Sequence, residues 1–326
     1  MSLPGFQQRP PTRGLASTGR RRPWFNCHDV ILWTCLVAFC ALGPACGAPP
    51  GERGTPAGAP APVTPAAGAP AVELPPTEAS ATAALNASPR HAEWVDVGLR
   101  GDQVPIGTWV VYPERSDPAP VVLVIHEIYG MTDWIRGVAD QFAAEGFIAV
   151  APDLLSGMGP NGGGTASLGE RDNVVATIRT LDPNERVRRL NAIRTYALGI
   201  PSGSGRLGAV GFCWGGGASF AYAMDQPALE AAVVYYGTSP AEVQDYARIN
   251  APVLGLYGGN DERVNATIHR ATEEILGAGK AYESIVYPGA GHGFLRAQQG
   301  QDGANMRATE QAWPRTLAFF REHIGR

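Results

Sequence analysis

Cysteine is almost missing from the greater part of this chain. Five occur in all, and Cys27, Cys35, Cys40 and Cys46 fall within the first 47 residues, so everything downstream holds Cys213 alone. An internal disulfide is therefore excluded there, and a lone thiol in such a setting reads as a reactive group. Basic runs interleaved with aromatics are lacking, and the net charge is only −4, which argues against a nucleic-acid partner. The glycine-rich stretch from Leu155 to Leu168 contains no Gly-Lys-Ser/Thr, so it is no phosphate loop and reads as the rim of a site. There is no His-Glu-x-x-His, and His126 has no second histidine at ligand spacing, so no metal is expected. The longest early apolar run, Val30 to Leu42, is short for a membrane span.

What the front of the chain does have is a basic cluster, Arg20-Arg21-Arg22, ahead of that apolar run and small residues Gly43 to Gly47 behind it. Residues 1–47 thus read as an export segment, with a periplasmic or membrane-anchored destination. Cys46 adds the prospect of a lipid anchor, and so of membrane attachment through the N-terminus. The alternative is a cytoplasmic enzyme with an unstructured front. Residues 48–90 are Ala/Pro/Gly-rich with almost no large apolar side chains and read as a disordered linker. Residues 91–326 have ample material for one domain, which we expect to be monomeric.

Within that domain, strand and helix patterns alternate. Glu93–Val97 and Thr108–Tyr112 read as an antiparallel pair at a sheet edge. Val121–Ile125 is a solid apolar run of the kind covered on both faces. Further strands are expected at Ile148–Ala151, Leu207–Val210, Ala231–Tyr236, Val253–Tyr257 and Tyr282–Tyr287, with helical stretches between them. The pattern predicts an α/β fold with a mostly parallel central sheet and helices on both faces. Ligands in such sheets sit beyond the C-terminal strand ends. Glu127, Cys213, Asp261 and His292 all fall there.

Cys213 lies in Gly211-Phe-Cys-Trp-Gly-Gly216, between an apolar strand and a small-residue helix. This is the strand–turn–helix context of a nucleophile elbow, with cysteine in the usual serine position. Side chains at Gly211 or Gly215 would strike the neighbouring helix or strand. The turn also sets the sulfur at a helix N-terminus, which favours a thiolate. A cysteine nucleophile needs a base and an acid to orient that base. Cys213, Asp261 and His292 follow the order nucleophile, acid, histidine. Asp153, after Pro152, reads as a structural acid bonding loop amides.

The segments Gly211-Phe-Cys-Trp-Gly-Gly216, His126-Glu-Ile-Tyr-Gly130, Asp261 and His292-Gly-Phe-Leu-Arg296 resemble the dienelactone hydrolase (carboxymethylenebutenolidase) family of α/β-hydrolases. The resemblance runs in order over about 95–326. It implies Cys213 as nucleophile, His292 as base and Asp261 as its orienter, with the backbone N–H groups of Ile128 and Trp214 as oxyanion hole. It implies that Glu127 meets the resting thiol and helps to generate the thiolate. Arg296 matches the family's carboxylate-binding arginine, while Arg171 and Arg179 are candidates for a second. The implied reaction cleaves an ester or lactone of a small, carboxylate-bearing molecule through an acyl-thioester, with no cofactor. The rival readings are a general carboxylesterase and a non-catalytic, surface-anchored binding protein on the same scaffold.

Overall fold

The alternation within the apolar runs decides the layering. In the computed structural model, which describes residues 72–325 apart from Glu242, all of strand β3 (Ala119–Ile125) is buried. Val121, Leu123 and Ile125 enter one apolar cluster, and Val122 and Val124 enter another. Successive side chains of a strand point to opposite faces, so a run that is apolar throughout needs cover on both sides.

The other strands are β1 (Ala92–Val97), β2 (Ile106–Val111), β4 (Ile148–Pro152), β5 (Gly203–Phe212), β6 (Ala232–Tyr235), β7 (Val253–Gly258) and β8 (Tyr282–Tyr287). They form one sheet in the order β1-β2-β4-β3-β5-β6-β7-β8. β2 pairs antiparallel with both β1 and β4, and every later pairing is parallel. The expected edge pair and the mostly parallel sheet are both present.

Helices α4 (Pro183–Leu198), α5 (Trp214–Asp225) and α7 (Ile268–Gly277) cover one face, through Leu190 and Ile193, Phe220 and Tyr222, and Ala271 and Ile275. The opposite face takes α2 (Asp133–Ala144) and α8 (Ala304–Ile324), through Ile135, Val138 and Phe142, and Trp313, Leu317 and Phe320. Each such fully buried large side chain contributes roughly 1.5–3 kcal/mol. The remaining helices are α1 (Ala81–Ala87), α3 (Arg171–Ile178) and the single turn α6 (Glu262–Asn265). α8 runs on through Pro314. Among the described residues no helix is long and apolar enough to cross a membrane. The export segment and most of the linker lie outside the described residues.

The last part of the expected linker departs from the sequence reading. Residues 72–90 are ordered against the domain and include α1. Gln141 Nε2 donates to Glu73 O at 3.2 Å, Gln298 Nε2 to Pro75 O at 2.9 Å and Trp134 Nε1 to Pro76 O at 3.0 Å. Gly137 leaves room for the Pro76 ring, since a Cβ there would lie 2.7 Å from Pro76 Cγ. Arg90 closes the segment with a paired contact to Asp140. A run poor in large apolar side chains is held here partly by its carbonyl groups, which every residue possesses, with Val72, Leu74 and Ala81 packing onto the core.

Candidate active site

Sheet register brings the site together before any side chain is considered. Ile125 of β3 lies opposite Gly211 of β5, so Glu127 and Cys213, each two residues further, emerge side by side. Phe212 pairs with Tyr235 of β6, which sets Tyr236 next to Cys213. Gly258 pairs with Tyr287, and the loops beyond them carry Asp261 and His292.

The elbow is as tight as its glycines demand. A Cβ on Gly211 would overlap the Gly215 carbonyl, and one on Gly215 would overlap the carbonyls of Ile125 and His126. Gly216 lies so near β6 that a Cβ would come within 2.6 Å of Tyr235 O. Cys213 itself has φ 55° and ψ −114°, at the N-cap of α5. A non-glycine residue rarely takes such a conformation, and doing so costs about 1–3 kcal/mol. Cys213 N–H donates to Tyr235 O at 3.0 Å, which holds the turn.

Two groups of charged residues flank the sulfur. In the first, His292 Nδ1 lies 2.5 Å from Asp261 Oδ2. Asp261 is buried, is the N-cap of α6 and accepts a second bond from Val264 N–H at 3.4 Å. A carboxylate on Nδ1 leaves Nε2 as the free basic nitrogen. Tyr236 packs edge-on against the imidazole with ring centroids 5.2 Å apart. Among the described residues no hydrogen bond joins His292 to Cys213.

In the second group, Glu127 Oε2 lies 2.9 Å from Arg296 Nε. Burial pushes the Glu127 carboxyl up to about 7; Arg296 opposes this and Glu78 adds to it. The Cys213 thiol is also raised, first by burial and then by the Glu127 charge. The N–H groups of Trp214 and Ile128, and Arg263, act the other way. The resting sulfur is thus a protonated thiol at neutral pH, and the two N–H groups expected to hold an oxyanion already act on it.

His126 belongs to the scaffold. It is buried, its Nε2 accepts from Leu154 N–H at 3.1 Å, and its Nδ1 lies 2.9 Å from Glu127 O. That pattern fixes the neutral ring, which stacks on Trp214 at 5.8 Å, and burial pushes its pKa down. Asp153 takes the structural place expected of it, accepting from the N–H groups of Leu155 and Thr165 and from the Thr165 hydroxyl. Among the described residues no group of three or more His, Cys, Asp or Glu side chains could hold a metal ion.

Residues 106–324 match the model of the dienelactone hydrolase family. The chain belongs to this family. It is 32% identical over 274 residues to a carboxymethylenebutenolidase-like protein of Methylorubrum extorquens, covering 78% of this chain and 88% of that one. Carboxymethylenebutenolidase 1 of Cupriavidus pinatubonensis is 31% identical over 204 residues, covering 62% of this chain and 86% of its own. A solved dienelactone hydrolase-type structure from Klebsiella pneumoniae aligns with a TM-score of 0.62 at 26% identity, over 72% of this chain and 99% of that one. Family membership makes the fold an α/β-hydrolase fold and the protein an ester or lactone hydrolase with a small-molecule substrate.

Two site residues escaped the sequence reading. Tyr236 looked like the apolar end of a strand, yet it is fully buried with φ 39°, and its hydroxyl acts on the Glu127 carboxyl. The signal was available in Tyr235-Tyr236-Gly237, a bulky pair stopped by a glycine at a strand end. Glu78 lay in the expected linker. It forms ion pairs with both Arg171 and Arg296.

Proposed function

We propose that the chain hydrolyses small esters or lactones by nucleophilic catalysis at Cys213. The observation that supports this most is the 2.5 Å bond between His292 and a buried Asp261, on the same sheet edge as a strained thiol at a helix N-terminus. His292 takes the thiol proton, and the sulfur attacks the carbonyl carbon. The resulting oxyanion is held by the N–H groups of Ile128 and Trp214. Collapse expels the alcohol, which takes the proton from His292, and leaves an acyl-thioester. Water, deprotonated by His292, attacks the thioester; the acid departs and the thiol is restored.

Glu127 acts before the first step. A carboxyl poised near 7 beside a raised thiol keeps the sulfur protonated while the site is empty, until substrate enters and His292 takes the proton. Intact-mass measurement during a burst with p-nitrophenyl butyrate tests the assignment. Wild type is expected to gain one butyryl group on Cys213, and Cys213→Ala to gain none. Undiminished turnover by Cys213→Ala would remove the nucleophile from this reading.

A further inference from the structure

Glu78 lies outside the catalytic groups, but it alters what the site can accept. Its carboxylate bridges two guanidinium groups, Arg171 on one oxygen and Arg296 on the other. Both arginines lie over the ring of Tyr129, at 4.6 and 5.5 Å from its centroid. Arg296 also holds Glu127, the neighbour of Cys213. Arg171 and Arg296 are thus matched by two carboxylates of the same chain, Glu78 and Glu127. Arg171 and Arg296 together hold Glu78 below the ordinary carboxylate range, against the opposing effect of its partial burial.

Exposed ion pairs are individually weak, so this one would be readily displaced if Glu78 hung on a loose tail. It does not. Glu78 N–H donates to Arg296 O at 3.1 Å, and Glu73, Pro75 and Pro76 are each anchored by a side chain of the domain. The carboxylate is prepositioned, and a substrate carboxylate directed at Arg296 would meet it as a like charge.

We propose that Glu78, delivered by residues 72–80, is a specificity-determining residue that occupies the carboxylate position between Arg171 and Arg296 and restricts the hydrolase to esters with an uncharged acyl group. The inference rests on the esterase reading above and narrows its substrate class.

The test uses the full chain and two substrates with one leaving group. p-Nitrophenyl butyrate and p-nitrophenyl hemisuccinate differ in having a methyl or a carboxylate at the end of the acyl chain. Wild type should favour butyrate. Glu78→Gln should raise the hemisuccinate-to-butyrate ratio of kcat/KM about tenfold or more, chiefly through KM, and the gain should shrink at high salt. Glu78→Asp, which keeps the charge, should stay near the wild-type ratio. Glu78→Ala removes the same charge and guards against an unforeseen amide contact. Calorimetric titration with succinate needs no turnover and should show tighter binding to Glu78→Gln by a similar factor. A ratio and a succinate affinity that both move less than about twofold would overturn the assignment, as would equal losses on both substrates, which would make Glu78 merely a support for Arg296. Failure of the esterase reading looks different: neither ester is turned over in a Cys213-dependent way, while the succinate titration still reports on Glu78.

Discussion

Cys213 lies between two acid–cation pairs built from similar parts. On one side Asp261 is buried and His292 is a third exposed, joined at 2.5 Å. On the other Glu127 is buried and Arg296 is one-fifth exposed, joined at 2.9 Å. The difference lies in which partner can exchange a proton. The Nε2 left free by the Asp261 contact can take up and give back a proton, which suits the first pair to pass one to a substrate or to water. Guanidinium does not titrate near neutrality, so in the second pair the carboxyl must do so, and burial has brought it to about 7. On the proposed mechanism, similar components serve turnover on one side and restraint of the thiol on the other.

The comparison breaks most visibly at His292. His292→Ala should lower kcat/KM for p-nitrophenyl butyrate by about 10²–10⁴-fold, the range for loss of a positioned general base. If the loss is under about tenfold, the two sides do not divide the work in this way. On the restraining side, Glu127→Gln should sharpen the contrast through pH. The Glu127 carboxyl is raised in the fold, so its charge is tolerated less there than in the unfolded chain. The stability it allows is full below about 4.5 and falls as pH rises through about 7. Denaturant melts at pH 5 and pH 8 should show wild type losing up to about 3 kcal/mol more than Glu127→Gln between those values. The same variant should alkylate faster with iodoacetamide at neutral pH, by severalfold, because a negative charge that raises the thiol is gone. Equal rates would separate Glu127 from the sulfur. The smallest effect concerns the segment that brings Glu78 to Arg296. Trp134→Phe deletes the bond to Pro76 O and should cost about 1 kcal/mol in chemical denaturation, with the pH profile of His292-dependent turnover unmoved.

Much of this arrangement can be read from residue order. Strands that are apolar throughout need cover on both faces, and residues just beyond their C-terminal ends must gather at one edge. That logic found Glu127, Cys213, Asp261 and His292, and the elbow glycines explain why Cys213 stands proud of the sheet. Arg296 was found, but its surroundings were not. Its engagement depends on Glu78, more than two hundred residues away in sequence, inside a stretch whose composition resembles a linker. Carbonyl acceptors do part of the holding, and they leave no trace in composition. Tyr236 was missed for another reason: the glycine after it marks where the strand stops, but a left-handed backbone at the tyrosine itself leaves no mark in the sequence.

The backbone of Cys213 has a consequence for anyone who wants the scaffold without its chemistry. A residue at φ 55° and ψ −114° is held there against its own preference, and glycine alone enters that region freely. With Cys213 as the proposed nucleophile, exchange to glycine should silence turnover and relieve the turn at once, giving a sturdier receptor that binds an ester and returns it intact. The thiol is kept at a position where the fold would be better served by no side chain at all.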